Sequence, residues 1–439
     1  MNKRKPCQAM ALALGLLAAS LLAMTSCGRD AIFFIISTEV PPQPPMIEGG
    51  PTQMVFFNWL SPLTMTGTAL DDGEYPYLDN GNDTINYRPV IFVASGGLFW
   101  YTPEYRKANG EWDNTTTKWR ADIGITQPDG RIIGIAATQR FLYALTGGGI
   151  NNTIYRTNSS MDGRWEAVGR SNIQVIFADG ERLFAGIRTG PGPVYGISSI
   201  RDNENELTLV VGGTRLLTGA VSDGTSYFLS TGRDSFRFDG TTAIPLRNAT
   251  ADPEDGEQPV FTGAIMGMIR LPDNSIIAVG RGGSLHRANG DSLALIQRTN
   301  AQGVPETNAQ GDPIWMSTGR FATSALAIWE DSITGNRVLA VGVQGSLTTT
   351  TFNNGYVEFP LNDDGSLDTR ATRHDADRLE SVQGQNDQYR TSLGRLPINH
   401  LFQAPREISE DMTFFASTQT VGLWSFRDRD GVPQWNAEN

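Results

Sequence analysis

An all-β fold built from copies of one four-stranded unit is predicted by three observations. Residues 267–297, GMIRLPDNSIIAVGRGGSLHRANGDSLALIQ, break into four short runs at 267–271, 275–280, 284–288 and 292–297. The breaks Pro272-Asp273-Asn274, Arg281-Gly282-Gly283 and Ala288-Asn289-Gly290-Asp291 carry the turn-forming residues of tight hairpins. Composition agrees, with Gly 48 and Pro 23 in 439 residues and no long helical periodicity.

A meander of this size cannot bury both faces alone and needs copies of itself to pack against. Taking Ile277 on the second run as a ruler, equivalent positions are Ile91, Tyr143, Phe184, Phe228, Leu339 and Phe415. Where nothing intervenes they lie about 40 to 50 residues apart, the period of propeller blades. The count predicts a seven-bladed β-propeller of four-stranded antiparallel blades over residues 54–439, with insertions at 61–88, 298–320 and 362–397. Six or eight blades follow if the front segment or an insertion is assigned differently. Inner strands are expected at 54–60, 132–137, 173–178, 217–221, 267–271, 324–329 and 398–403. The last blade ends with 423–426 and 432–435, so the ring closes either with its own strand or with the apolar run 32–36 lying beside it.

The front of the chain reads as an export signal. Lys3, Arg4 and Lys5 precede an apolar run at 9–24, too short for a settled membrane span. Cys7 and Cys27 are the two cysteines, so processing before Cys27 leaves no internal disulfide. The end of this segment, Leu22-Ala23-Met24-Thr25-Ser26-Cys27, resembles the bacterial lipobox. The resemblance implies a lipoprotein signal peptide over 1–26 and diacylation of Cys27, including palmitate-type chains, with an outer-membrane destination expected because Gly28 follows. Residues 27–53 read as a Pro-rich tether, semi-rigid at Pro41-Pro42-Gln43-Pro44-Pro45. Six consecutive nonpolar residues at 31–36 would be an aggregation hazard if exposed, so they are expected to pair as an outer strand.

Charge narrows the partners. The formal net charge is −12, and signal removal takes away three cations, which disfavours nucleic acid. Against that background, Arg188, Arg233 and Arg281 fall in the second-to-third-strand loops of three successive blades. Such loops open on the face where propeller channels bind ligands, and guanidinium forks suit carboxylate or phosphate. These three form the candidate anion rim, against the plainer reading of separate solvated surface residues.

No catalytic constellation or metal site emerges, and no cofactor is expected. His286, His374 and His400 lie far apart, and of the ionisable types that line propeller active channels only His400 falls on an inner strand. Asp79-Asn80-Gly81-Asn82-Asp83 lacks the remaining ligands of a calcium loop and reads as a turn. The stretch 155–165, YRTNSSMDGRW, resembles the Asp-box hairpin of sialidases and sortilin-like receptors, with a looser match at 425–431 followed by Trp435. In those families the aspartate caps the turn and the tryptophan packs between blades, a structural role. Tyr87-Arg88-Pro89 is faintly similar to the arginine-proline start of sialidases.

As a whole the chain resembles the propeller lipoproteins of spirochaetes, treponemes especially. The expectation is a monomeric, lipid-anchored extracytoplasmic scaffold that binds an envelope protein, or an anionic small ligand or glycan. A sialidase-like or lactonase-like hydrolase is the alternative, and an outer-membrane assembly factor the third reading.

Overall fold

The computed structural model describes residues 53–59, 88–101, 119–120, 128, 130–147, 151–158, 161, 164–251, 257–330, 335–344, 355–370, 374–375, 397–405, 412–418, 422–429 and 432–438. They fall within the compact unit Pro45–Asn439. Seven separate antiparallel sheets carry the chain, each with four strands in sequence order, and one has a fifth strand at its outer edge. The innermost strands are Gln53–Trp59, Arg131–Ala137, Ile173–Asp179, Leu217–Ser222, Ile265–Arg270, Phe321–Glu330 and Ile398–Gln403. Each packs beside the next, and the last packs beside the first. The protein is a seven-bladed β-propeller.

The core is divided among the seams between blades. On the second strand of blade one, Phe92 and Ala94 join Ile132, Ile135, Leu142 and Ala144 of blade two. Ile91 and Val93, pointing the other way, join Ala404, Phe415 and Leu423 of blade seven. Alternate residues thus serve opposite seams, and the strand reads as a continuous apolar run because both of its faces are buried. All seven ruler positions lie on second strands and are no more than 3% exposed.

Turn chemistry explains the hairpins. In blade five, between Ile265–Arg270 and Ile276–Gly280, Asp273 Oδ1 accepts the Ser275 N–H at 2.9 Å and the Ser275 hydroxyl at 2.7 Å. Asn274 sits between them at φ 68°, a left-handed conformation that asparagine tolerates better than a branched residue.

The insertions differ from expectation in detail. Arg88 belongs to the second strand of blade one, Arg88–Ala94, so the first insertion ends before it. Residues 298–320 form successive short hairpins bridged at Thr299 with Pro305 and at Thr307 with Pro313. The fourth strand of blade six, His374–Asp375, lies inside the stretch 362–397 assigned to an insertion. It is two residues long and polar, so it carries no alternation by which a strand could be read. Unexpected too is Arg247–Asn248, which runs parallel to the outer strand of blade five and covers that edge.

Blade seven is built entirely from the C-terminal strands Ile398–Gln403, Phe414–Thr418, Leu423–Arg429 and Val432–Ala437, so the ring closes with the last blade's own strand. Residues 32–36 lie outside the described residues. Among the described residues no strand is exchanged between first and last blades, and side chains hold the seam. Trp119 of blade one donates its indole N–H to Glu438 Oε2 at 3.0 Å and meets Phe415 edge-on at 5.7 Å. Glu438, 4% exposed, also accepts the Ser425 hydroxyl. His400 Nε2 lies 3.1 Å from the Met54 carbonyl across the same seam.

Glu438→Ala leaves the indole N–H and the Ser425 hydroxyl without this carboxylate and should cost about 2–4 kcal/mol. Urea unfolding followed by tryptophan fluorescence measures it; a midpoint equal to wild type would show that the carboxylate does not hold the seam.

Candidate functional site

The two ring faces are built from different loops. Inner strands start on the face that also carries the second-to-third-strand hairpins, here the upper face. They end on the lower face, with the third-to-fourth-strand hairpins.

Several lower turns are capped by carboxylates. Asp223 Oδ1 accepts the N–H groups of Thr225 and Ser226, both at 2.7 Å, and Asp239 Oδ1 those of Thr241 and Thr242, both at 2.8 Å. Asp364 accepts the hydroxyl and N–H of Ser366 at 2.6 and 2.9 Å, the arrangement Asp273 repeats with Ser275. Burial works against the Asp223 carboxylate, yet the Ser226 and Thr225 N–H groups hold its pKa below the usual range. The N–H groups of Thr242 and Thr241 do the same for Asp239, as do the Ser366 hydroxyl and N–H for Asp364.

Upper turns are capped by hydroxyls. Thr231 Oγ1 accepts the Asp234 N–H at 2.8 Å and donates to the Asp234 carbonyl at 2.9 Å; Thr318 Oγ1 donates to the Arg320 carbonyl at 2.6 Å. Where Thr318 presses on the blade-five hairpin stands Gly283, φ 86°, and a Cβ there would collide with Thr318 Oγ1 and the Arg320 carbonyl.

This division leaves the upper face with cations. Arg233 and Arg281 lie in the second-to-third-strand hairpins of blades four and five as expected, whereas Arg188 is the last residue of the second strand of blade three, paired with Tyr195, because that ladder runs further toward the upper face; all three are exposed. Arg188 Nε donates to the Gly192 carbonyl at 3.1 Å. Arg233 faces Asp234 at 3.9 Å. The side chains do not converge on a shared partner among the described residues. Instead, Arg215, just before the blade-four inner strand, donates to the Pro193 carbonyl at 3.3 Å, on the loop that Arg188 holds. Adjacent carbonyls of one hairpin thus bring Arg188 and Arg215 together, a pairing that residues 27 positions apart do not announce. Among the described hairpins and inner-strand starts of this face, Asp234 is the one carboxylate, while Arg131 and Arg320 add further guanidinium groups.

A central channel of about 570 Å³ runs between the inner strands of all seven blades. Among the described residues lining it, His400 is the one that is ionisable. A carbonyl only accepts, so His400 Nε2 carries the proton and donates to Met54 O. Burial pushes its pKa down to about 4, the Met54 hydrogen bond opposing, and the ring is neutral at physiological pH. Among the described residues no cluster of histidine, cysteine or acidic side chains could hold a metal ion.

Six inner strands share an irregularity. Their pairing with the second strand slips near the upper end, leaving Ile133, Gln174, Thr218, Met266 and Asn399 as extra residues in five blades, and a wider bulge over 323–325 in blade six. Blade one has no slip. Instead, Gln53 reaches across, accepting the Ile135 N–H at 3.0 Å and donating to the Ile176 carbonyl at 3.2 Å. Glycine follows the extra residue in blades two, four and five, where neighbours crowd: a Cβ on Gly134 would stand 3.1 Å from Gln53 Oε1 and one on Gly219 3.2 Å from the Met268 nitrogen. The pairs Ile133-Gly134, Thr218-Gly219 and Met266-Gly267 were the available sequence signal.

Two contacts that look functional are structural. Arg156 is 5% exposed, paired to Glu166 at 3.0 Å, bonded to the Glu204 carbonyl and Asn205 Oδ1 at 2.7 Å each, and seated 4.6 Å above the Phe141 ring. Ser284 Oγ lies 2.9 Å from His286 Nε2, but burial lowers that imidazole to about 4, too weak a base for a serine at neutral pH. Of the Asp-box stretches, Trp165 packs against the seam between blades one and two, and Trp435 against Phe414 and Tyr356 between blades six and seven. Asp162 and Gly163 lie outside the described residues, as does Asp79-Asn80-Gly81-Asn82-Asp83.

Comparison with known proteins adds little. No protein-family model and no curated protein matches the chain. Solved structures similar to it include the WD40 β-propeller domain of Doa1, at TM-score 0.40 and 9% identity over 78% of this chain and 90% of that one. Apo AztD from Citrobacter koseri matches at 0.40 and 10% over 79% and 84%, and YCF48 bound to D1 peptide at 0.40 and 12% over 88% and 100%. Likeness at this level carries no argument, and the fold stands on the sheet order itself.

Acid should destabilise the protein in two stages. His286 and His400 have folded pKa values below the unfolded value of about 6.5, so their contribution is intact above that pH and is lost as pH falls toward 4. Asp223, Asp239 and Asp364 are depressed as well, and their contribution goes only below the unfolded carboxylate value of about 4. Unfolding free energy measured against pH should fall in the first window and flatten there in His286→Leu/His400→Leu; an unchanged slope would remove the histidines as its cause.

Proposed function

We propose that the protein is a lipid-anchored binding scaffold of the bacterial envelope whose upper face receives an acidic protein partner. The observation that carries this reading is the division of turn chemistry between the faces. Carboxylates cap several lower turns, beside the hydroxyl of Thr138, and hydroxyls cap the upper turns described, which leaves Arg188, Arg215, Arg233 and Arg281 exposed with little negative charge among the described residues of their face. In a chain of net charge −12 that face is a local reversal of sign, and complementary potentials guide encounter and orientation more than they add affinity. The anchor is supported by Leu22-Ala23-Met24-Thr25-Ser26-Cys27, and several acyl chains hold a protein stably at a membrane where one does not. Resemblance to spirochaete propeller lipoproteins supports an outer-membrane address. A hydrolase would need acidic, histidine or tyrosine side chains converging in the channel, and no observation specifically favours that alternative.

Fluorescence anisotropy of labelled polyglutamate with the full chain in detergent micelles tests the face. Binding should weaken about tenfold or more in Arg188→Glu/Arg215→Glu and fall as salt is raised. Equal affinity in wild type and variant, or preference for polylysine, would overturn the reading. For the anchor, Cys27→Ser should abolish incorporation of labelled palmitate and move the protein from the membrane to the soluble fraction. Persistent labelling would exclude Cys27 as the acylated residue.

A further inference from the structure

Bulges that recur at one level of six different strands need a physical reason. Each sacrifices ladder pairing beside the ring's centre, and in five of the six blades a bulged residue, Ile133, Gln174, Thr218, Ser324 or Asn399, lines the channel near its upper mouth. The polar groups so placed are Gln174, Thr218, Ser324 and Asn399, all channel-lining residues. Gln174 and Ser324 are exposed to this space, and Thr218 and Asn399 are half-buried.

Their hydrogen-bonding capacity is partly spent. Thr218 donates to the Ile265 carbonyl at 2.6 Å, and Gln174 Nε2 donates to the Asn172 carbonyl at 3.3 Å, which leaves Gln174 Oε1 as an acceptor. The side chains of Asn399 and Ser324 make no hydrogen bond among the described residues, so an amide that both donates and accepts, and a hydroxyl that does the same, line the channel. Gln53 spends its amide on Ile135 and Ile176 and acts as a strut at the blade that lacks a bulge. Between the polar groups stand Ile133, Met268 and Leu326.

We propose that this ring of bulges is a binding site for a small, neutral, hydroxyl-rich ligand of the saccharide class. A volume of about 570 Å³ lies in the ordinary range of small-molecule pockets. Among the described residues no charged side chain lines the channel to compensate a buried ionic group, so a neutral ligand is selected. Sugar hydroxyls donate and accept as these amides do, and the C–H faces of a pyranose ring suit the intervening aliphatic side chains. The site lies inside the arginine face but draws on none of its guanidinium groups, so it stands or falls separately from the scaffold reading.

Saturation-transfer NMR on the full chain in detergent micelles, with glucose, N-acetylglucosamine, glucuronate and triglycine as probes, decides it. Transfer to at least one neutral sugar is expected. Binding should weaken about fivefold in Asn399→Leu and in Gln174→Leu, the loss of one neutral hydrogen bond each, and stay unchanged in Arg188→Glu. Gln174 is exposed to the channel, so its variant keeps the test valid if Asn399→Leu misfolds. Transfer to glucuronate or triglycine alone, to no probe, or undiminished in Gln174→Leu would overturn the proposal.

Discussion

Every blade here depends on both of its neighbours, because the second strand of each sheet buries its two faces in two different seams. Ile91 and Val93 look into blade seven while Phe92 and Ala94 look into blade two, and no blade can satisfy both without a closed ring. Closure is therefore the constraint on which the rest rests. Among the described residues it is met by packing Met54, Ile91, Val93 and Trp119 on Ala404, Phe415 and Leu423. A buried carboxylate near the end of the chain, Glu438, ties the outer part of that seam to Trp119. Hydrophobic burial supplies the attraction, and the polar contacts fix which surfaces meet.

Charge on the ring faces follows from an unrelated need. Tight hairpins leave backbone N–H groups without partners, and a short side-chain oxygen satisfies them. Four lower turns use aspartate for this, and the upper ones described use threonine. Both choices cap a turn, but the first adds a negative charge and the second does not. An acidic protein thereby acquires a face where Arg188 and Arg215 stand together over one loop with few acids nearby.

The channel shows a different compromise. Regular inner strands would pair fully with their neighbours, yet five of them slip by an extra residue and a sixth by a wider bulge close to one mouth, and glycines absorb the crowding that follows in blades two, four and five. Loss of pairing at the same level in strands of unrelated sequence concentrates amides and hydroxyls in an otherwise apolar shaft. His400 belongs to this level but not to its chemistry, since its proton is committed to the Met54 carbonyl at the closing seam.

The repeat, its turns and its blade count were legible in the chain because they are local: an apolar run, a turn residue and a period need no knowledge of neighbours. The second-strand positions from Ile91 to Phe415 could be aligned by eye, and the hairpin positions of Arg233 and Arg281 followed from that alignment, while Arg188 lies at the end of its strand instead. Two-residue polar strands such as His374–Asp375 were not legible, since nothing alternates in them. Nor was the pairing of Arg188 with Arg215, the tie between Trp119 and Glu438, or the inward turn of Gln174 and Asn399. Each of these depends on which segments lie side by side once the ring has closed, and that proximity is set by packing across seams between residues as far apart as Met54 and His400, 346 positions. Sequence by itself determined the unit and how often it recurs; tertiary structure decided which side chains meet, because contact at long separation is a property of the closed ring and not of any one blade.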